Sequence, residues 1–218
     1  MNRRNLLALL ATSLSTVACS NNLALKTAGT IIESSLGNGS AFEPDYPDKL
    51  PYATIAVRQK GRPRSLLILG RVSGDELQWV SADRGMLITR HGRLIRTVGF
   101  TDNLSKTDFV NSDYFGGTAQ PANKTEPANR LIDLSPGNRY GIKIESSLEK
   151  IGLETIEIGK HRYETTRYDE TCFSSLIGWK YTNSFWVDIN GRIWRSTQHF
   201  TPKAEPLTIE VTKHYQPS

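Results

Sequence analysis

Short runs of apolar and β-branched residues fill the chain from residue 51 onward. Five such runs lie within residues 52–98, separated by the turn-forming stretches KGRP, SGD, DRG and HG, and six further runs lie within residues 139–215. Runs of this length joined by tight turns are typical of antiparallel strands in a meander. We therefore predict an all-β domain of roughly ten or eleven strands over residues 45–218, with an antiparallel meander sheet curved into a half-open or closed barrel.

The residues before this domain follow a helical period instead. Apolar positions between 23 and 36 recur three or four residues apart, and Gly37 and Gly39 follow them. This pattern predicts a short N-terminal helix that ends at the glycines. The next stretch, FEPDYPDKLP, carries three prolines and is typical of an extended connector. Residues 19–44 are accordingly predicted to form a short helix and a linker.

Residues 101–138 interrupt the strand pattern. They are polar, they contain Gly116 and Gly117 with several Pro and Asn residues, and their apolar positions show little periodicity. We predict a long loop here, with a short helix within residues 103–110. A loop of this length inside a domain is usually functional or mobile.

Two predicted hairpins have similar sequences, ITRHGRLIRT at 88–97 and VDINGRIWRS at 187–196. Asn190-Gly191 is a strong signal for a two-residue turn because both residue types tolerate positive φ, and His91-Gly92 is a weaker version of it. The likeness fits either a distant internal duplication or the shared chemistry of tight turns, and the sequence leaves both open.

A two-residue turn would fix the register of the second hairpin. It places Val187 opposite Trp194, and Trp186 opposite Arg195. Trp194 then shares a face with Val187, while Trp186 shares the other face with Asp188 and Arg195. Because both faces carry a tryptophan, both must be at least partly covered, or one of them is a binding surface.

The aromatic residues of this region are the strongest candidates for a binding role. Aromatic faces beside arginine suit sugars or anionic polymers, although they suit the core of a β-sheet equally well. We expect Trp194 to belong to the core. Trp186, Arg195 and Asp188 are then the candidate contact for a polymer or a partner protein.

The start of the chain reads as a secretory signal rather than as part of the fold. Arg3 and Arg4 are followed by twelve uncharged residues, Leu6 to Val17. This run is too short for a membrane span, which needs ~20 apolar residues, and its length suits a signal peptide. Residues 1–18 are therefore predicted to be a signal peptide. Their removal leaves 25 basic and 22 acidic residues, and this net charge of +3 gives no argument for a nucleic-acid partner.

Thr16-Val17-Ala18-Cys19 resembles the lipobox of bacterial lipoproteins. The resemblance implies that the Cys19 sulfur receives a diacylglycerol, that cleavage follows Ala18 and that the new amino terminus is acylated as well. More than one acyl chain gives a stable anchor. Ser20 stands where an Asp would favour retention at the inner membrane, so the resemblance implies the outer membrane, with the domain on its periplasmic face.

Motifs for catalysis or metal binding are missing from the sequence. It contains no nucleophile elbow, glycine-rich phosphate loop or His-Glu-x-x-His. His161 and Asp169 would point to one face of a strand, whereas Glu170 and Cys172 would point to the other, so these residues do not form a metal site. We predict no catalytic residue, no metal and no cofactor, and we expect Cys172 to be a semi-buried thiol.

The ordered strand patterns point to a family. LPYATIAV, then LILGRVSGDELQWVSADRGMLITRHGRLIRTVGF, and later FWVDINGRIWRSTQ resemble the YjbF family of outer-membrane lipoproteins over about residues 45–215. The resemblance implies a role in the export or assembly of exopolysaccharide and group 4 capsule. It also implies a fold like the half-barrel of periplasmic lipoprotein carriers, and it supplies no catalytic residues.

The leading hypothesis is therefore an outer-membrane lipoprotein that assists polysaccharide secretion as a non-catalytic binding or scaffolding module. Its expected partners are outer-membrane lipid through acylated Cys19, other secretion proteins and the polysaccharide itself. One alternative is a carrier of lipid or lipoprotein on the concave face of the sheet, which a deep apolar cavity would favour. The other is an enzyme acting on the polymer, which paired carboxylates in a groove would favour.

Overall fold

The computed structural model describes residues 42–111, 113–116, 120–121 and 126–216. The predicted signal peptide, Cys19 and the predicted N-terminal helix lie outside these residues. Twelve antiparallel strands and one four-residue helix make up the described part of the chain. The helix is α1 Tyr46–Lys49, and the strands are β1 Thr54–Gln59, β2 Ser65–Ser73, β3 Glu76–Val80, β4 Met86–Arg90, β5 Arg93–Val98, β6 Asn103–Phe109, β7 Ala128–Ser135, β8 Arg139–Ile158, β9 His161–Ser174, β10 Trp179–Val187, β11 Ile193–Gln198 and β12 Leu207–Lys213. The predicted all-β class is confirmed.

Strands that follow one another in the chain pair with each other, except β5 and β6, and β1 also pairs with β12. The sheet is therefore an up-and-down meander that curls into a nearly closed barrel, as predicted. Its edges are β5 and β6, which face each other across a seam. Side chains bridge part of this seam, because the Thr97 hydroxyl accepts a hydrogen bond from the Leu104 N–H at 3.0 Å and donates one to Asn103 Oδ1 at 3.2 Å.

The prediction of a long loop with a helix after residue 100 is wrong. Residues 103–109 form β6 and residues 128–135 form β7, so that the connection between them spans only 110–127. The apolar alternation of β6 is weak because Thr107, one of its half-buried positions, borders a polar part of the interior beside Arg130. Polar residues on the inward side hid the two-residue period on which the prediction relied.

One strand is much longer than the sequence suggested. β8 runs for 20 residues through an irregularity between Lys150 and Gly152, where two separate strands were expected. The far half of the β8–β9 hairpin lies against the outside of the sheet: Arg195 on β11 donates a hydrogen bond to the Glu157 carbonyl at 2.7 Å. This overlap covers part of the outer face of the barrel.

The main core lies inside the barrel. Its fully buried members include Ile55, Leu87, Ile144 and Phe200, each at most 1 % exposed. Burial of one such side chain stabilises the fold by roughly 1.5–3 kcal/mol. A smaller cluster of Leu50, Leu66 and Ile68 forms under Phe42, Tyr46 and Tyr52 of the segment that precedes β1. The sheet is thus covered on both faces in this region.

Candidate functional site

The β10–β11 hairpin, which carries the predicted contact residues, has a longer turn than expected. Asp188 N–H donates to the Arg192 carbonyl at 2.9 Å, and Gly191 N–H donates to the Asp188 carbonyl at 3.0 Å. The loop therefore has three residues, 189–191, and the predicted two-residue turn is wrong. Gly191 does take the predicted positive φ, at 79°. Val187 consequently lies opposite Ile193 rather than Trp194.

A β-bulge then restores the register. The pairing shifts by one residue between Trp186 and Val187, so that Trp186 lies opposite Arg195 as predicted. The extra residue in the loop and the extra residue in the bulge cancel one another beyond this point. Trp194 is the residue that the bulge leaves without a cross-strand partner.

Trp194 is half-buried and is not part of the core clusters, so the prediction that it is a core residue is wrong. Ile193 takes the inward position instead, at 7 % exposed. The Trp194 ring stacks on Tyr163 with 3.9 Å between centroids, and its indole N–H donates to Asp188 Oδ2 at 3.0 Å. Asp188 Oδ1 accepts hydrogen bonds from the N–H groups of Asn190 and Arg192 at 2.9 Å each. Asp188 therefore organises the turn and holds Trp194.

Trp186 and Arg195 lie side by side on the outer face of the barrel. The Arg195 guanidinium carbon is 5.9 Å from the Trp186 ring centroid, and that of Arg167 is 5.4 Å away. The indole N–H of Trp186 donates to Glu154 Oε2 at 2.6 Å. The structure therefore brings two of the three predicted contact residues together, while Asp188 is directed to Trp194 instead.

An ion cluster continues this outer surface. Glu210 Oε2 accepts a hydrogen bond from Arg64 at 2.6 Å, and Glu210 Oε1 accepts one from Arg195 Nε at 2.9 Å. We call these three residues the outer cluster. They line an open groove of about 450 Å³, the outer groove, together with Ala56, Arg58, Glu157, Gly159 and Thr208.

A second cluster with the same composition lies inside the barrel. Glu170 on β9 accepts from Arg93 on β5 at 2.8 Å through Oε2, and from Arg130 on β7 at 2.9 Å through Oε1. Asn183 on β10 adds a third hydrogen bond to the same carboxylate at 2.9 Å. We call Arg93, Glu170 and Arg130 the inner cluster. It links three strands, and Asn183 adds β10, through a single carboxylate that solvent does not reach.

The surroundings of Glu170 keep it ionised. Burial alone would raise the pKa of this carboxyl, but the charges of Arg130 and Arg93, with hydrogen bonds from Arg93 and Asn183, hold the pKa well below its usual range. The pKa of each arginine is raised in turn, because the pull of Glu170 outweighs burial. These shifts keep all three side chains charged at neutral pH.

Cys172 and Tyr181 complete the interior polar region. Arg130 Nη2 donates to Tyr181 Oη at 3.1 Å and to Cys172 Sγ at 3.3 Å. Burial, reinforced by Glu170, raises the pKa of the Cys172 thiol to about 12. Cys172 lies in a strand as predicted, but its side chain is fully buried rather than semi-buried.

The sequence analysis did not predict the inner cluster, although the alternation of residues along β9 indicated part of it. Alternation along β9 did place Glu170 and Cys172 on the same face, and the structure shows that this face points into the barrel. The partners Arg93 and Arg130 come from distant strands, and nothing in their local sequence shows that they are buried. The adjoining void has a volume of only about 20 Å³, so the cluster has no room for a substrate.

The predicted division of possible metal ligands is also observed. His161 lies 3.8 Å from Asp48 outside the barrel, and Asp169 accepts from Arg167 at 2.9 Å, whereas Glu170 and Cys172 lie inside. Within the described ranges, no group of three or more His, Cys, Asp or Glu residues is placed to hold a metal ion.

One end of the barrel opens into a cavity of about 410 Å³ that the sequence did not reveal. Its walls come from the inward side chains of several strands, and its rim comes from the turns at 74–75, 91–92 and 190–192 and from residues after β12. We call it the mouth cavity. Trp194 borders it, so the bulge that removed this residue from the core placed it at the rim.

The class of protein that this geometry defines is a nearly closed, up-and-down antiparallel β-barrel domain with an ion cluster in its interior. In the part of the chain that the structure describes, helices long and apolar enough to cross a membrane are absent. The chain matches the family model "Group 4 capsule polysaccharide lipoprotein gfcB, YjbF" over residues 25–212, and it belongs to this family. The family predicted from the strand patterns is confirmed.

Individual relatives agree with this assignment. The chain is 25 % identical to the uncharacterized lipoprotein GfcB of Escherichia coli K12 over 165 residues, which cover 75 % of this chain and 77 % of GfcB. It is 25 % identical to the uncharacterized lipoprotein YjbF of the same organism over 178 residues, covering 80 % and 82 %. The crystal structure of the hypothetical lipoprotein YmcC from E. coli has the same fold, with a TM-score of 0.77 at 22 % identity, over 93 % of this chain and 100 % of YmcC. None of these names denotes an enzyme.

Proposed function

We propose that this protein is an outer-membrane lipoprotein that assists the export or assembly of an exopolysaccharide or capsule, as a non-catalytic binding or scaffolding module. The observation that carries the proposal is the match of residues 25–212 to a family of capsule polysaccharide lipoproteins. The lipobox-like stretch that ends at Cys19 supplies the membrane anchor in this proposal.

The segment between the acylated Cys19 and the barrel would allow the barrel to lie well away from the membrane. Twenty-two residues separate Cys19 from Phe42, the first described residue. A fully extended chain of that length spans at most roughly 75 Å, and the helix predicted within it shortens this reach. The domain could therefore meet secretion proteins or polymer in the periplasm while its acyl chains stay in the outer membrane.

The outer groove and the adjoining Trp186–Arg195 pair are the proposed contact surface. Arg58 is exposed at the groove and forms no ion pair with the described residues, so its charge is available to an acidic polymer. Trp186 offers a half-buried ring beside the guanidinium groups of Arg167 and Arg195, an arrangement suited to the apolar face of a sugar. Asp188 contributes indirectly, through the turn.

The carboxylates of this groove favour binding over catalysis. Glu157 and Glu210 both line it, which is the feature that a polymer-cleaving enzyme would need. Each oxygen of Glu210 is already engaged by an arginine, Arg64 or Arg195. Glu157 extends into solvent, 3.7 Å from Arg162. Neither carboxylate is held in the apolar surroundings that tune a general acid.

Deletion of the gene and complementation would test the proposal. Cells without the protein should export less polysaccharide, and the wild-type gene should restore export. Cys19→Ser should fail to restore it, because the protein would no longer fractionate with the outer membrane or incorporate labelled palmitate. Normal export in the deletion strain, or full rescue by Cys19→Ser, would overturn the proposed role or the proposed anchor, respectively.

A further inference from the structure

The mouth cavity has the dimensions of a ligand site. Its volume of about 410 Å³ falls within the range of roughly 300–1,000 Å³ that is typical of small-molecule pockets. Three hairpin turns and the end of β12 surround its opening, so a ligand would enter along the barrel axis.

The floor of the cavity is apolar. It consists largely of Ile55, Leu77, Trp79, Ile209 and Val211. Two polar groups deep in its wall are already paired: Trp79 Nε1 donates to the Thr89 hydroxyl at 2.9 Å, and the Ser196 hydroxyl accepts from Gln198 Nε2 at 2.9 Å. The other polar side chains of the lining lie in the turns and after β12: Asp75, His91, Asn190, Arg192, His214 and Tyr215. The buried side-chain polar atoms that lack a partner in the described part of the chain all belong to residues away from this cavity.

Such a floor selects against a sugar. The hydroxyl groups of a sugar would lose their hydrogen bonds to water on reaching this floor, where the aliphatic side chains of Ile55, Leu77, Ile209 and Val211 offer none in return. Apolar surface, in contrast, gains free energy when an apolar ligand displaces water from it. The buried part of the ligand must therefore be a hydrocarbon.

The rim adds a charge preference. Arg192 is exposed at the opening, lies 5.4 Å over the Trp194 ring and forms no ion pair with the described residues. Asp75, the acidic residue of the rim, lies 3.8 Å from His91 Nε2. An anionic head group at the opening would find Arg192 available.

The volume of the mouth cavity limits the ligand to one acyl chain. A methylene group occupies about as much space as one water molecule, whose share of liquid volume is ~30 Å³. The cavity therefore has room for roughly a dozen methylene groups. A single acyl chain fits, whereas the two chains of a phospholipid would exceed the space.

We propose that the mouth cavity binds one fatty acyl chain, with the anionic head group of the ligand at Arg192. A free fatty acid and a single-chain phospholipid share this chemistry. The inference does not depend on the role in polysaccharide export, since it concerns a different face of the molecule from the outer groove.

Photo-crosslinking of the full lipidated chain in nanodiscs would test this proposal. The probe is dodecanoic acid with a photoactivatable diazirine near the end of its chain, and mass spectrometry maps the labelled residues. We expect labels on cavity residues such as Leu77 and Val211, and competition by unlabelled dodecanoic acid. Val211→Trp and Leu77→Trp each fill part of the cavity and should lower labelling about tenfold, which corresponds to ~1.4 kcal/mol.

Matched controls separate binding from misfolding. Ile189→Trp enlarges an 80 % exposed residue on the same end of the barrel and should leave labelling unchanged. Arg192→Gln should weaken labelling by the acid but not by the corresponding fatty alcohol. A single-chain phospholipid as competitor distinguishes the two ligand sources. Labels confined to the outside of the barrel, failure of dodecanoic acid to compete, or undiminished labelling of a folded Val211→Trp variant would overturn the proposal.

Discussion

The inner and outer clusters have the same chemistry in two different environments. Each contains one glutamate whose two oxygens accept hydrogen bonds from two different arginines. Their side chains differ in exposure: Arg93, Glu170 and Arg130 are 3 %, 0 % and 8 % exposed, whereas Arg64, Glu210 and Arg195 are 21 %, 16 % and 23 % exposed. The inner and outer clusters therefore share their residue types and differ in their exposure to water.

This difference assigns the two clusters to different tasks. Water does not reach the charges inside the barrel, where Arg93 also lies 3.3 Å from Asp113. The inner cluster therefore fixes β5, β7 and β9 relative to one another and fastens the edge strand β5 across the interior. Charges on the outside can exchange a protein partner for water or for a ligand at little cost. The inner cluster therefore maintains the barrel, while the outer cluster is free to take part in binding.

Replacement of the glutamate in each cluster tests this contrast with the largest expected change in the free energy of unfolding. Glu170→Gln should destabilise the protein by about 3–5 kcal/mol, because the buried Arg130 loses its carboxylate partner and Arg93 keeps only Asp113. The equivalent change outside, Glu210→Gln, should cost about 1 kcal/mol or less. Urea unfolding of both variants measures the two free energies. Equal losses would mean that burial does not distinguish the clusters.

Tryptophans on the two faces offer a second test. Trp79 faces the interior at 3 % exposure, and Trp79→Ala should cost about 3–5 kcal/mol because it leaves a cavity. Trp186 is half-buried on the outer face, and Trp186→Ala should cost roughly 1 kcal/mol, through its lost hydrogen bond to Glu154. Thermal unfolding would show the difference. A larger loss for Trp186 would make the outer face part of the structural core.

Alkaline pH should affect the interior through Cys172. The folded thiol has a raised pKa of about 12, against an ordinary value of 9.0, so the unfolded chain loses this proton first as the pH rises. Stability from this group is complete below pH 9 and declines between pH 9 and 12, by at most about 1.4 kcal/mol per pH unit. Cys172→Ser should show a shallower decline in a pH series of urea unfolding. If the Cys172→Ser variant loses stability with pH as steeply as the wild type, groups other than Cys172 cause the decline.

The sequence predicts the barrel because alternating burial follows directly from local residue order. It predicts Trp186 opposite Arg195 as well, although the loop has three residues instead of the predicted two and a bulge at Trp194 was not predicted. Such compensating shifts cannot be read locally, because they depend on packing against Tyr163 from another hairpin. The inner cluster and the mouth cavity depend on long-range assembly in the same way: Glu170 meets Arg93 only when the sheet closes.

We propose that the outer face acts in polysaccharide export while the interior maintains the fold. The most direct test is surface polysaccharide in a deletion strain that carries the double variant Trp186→Ala/Arg195→Gln, with the amount of folded protein measured in parallel. Phe173→Ala, at an exposed position elsewhere on the sheet, is the control. We predict reduced export by the double variant at normal protein abundance, and normal export by the control. Full export by an equally abundant double variant would contradict the account.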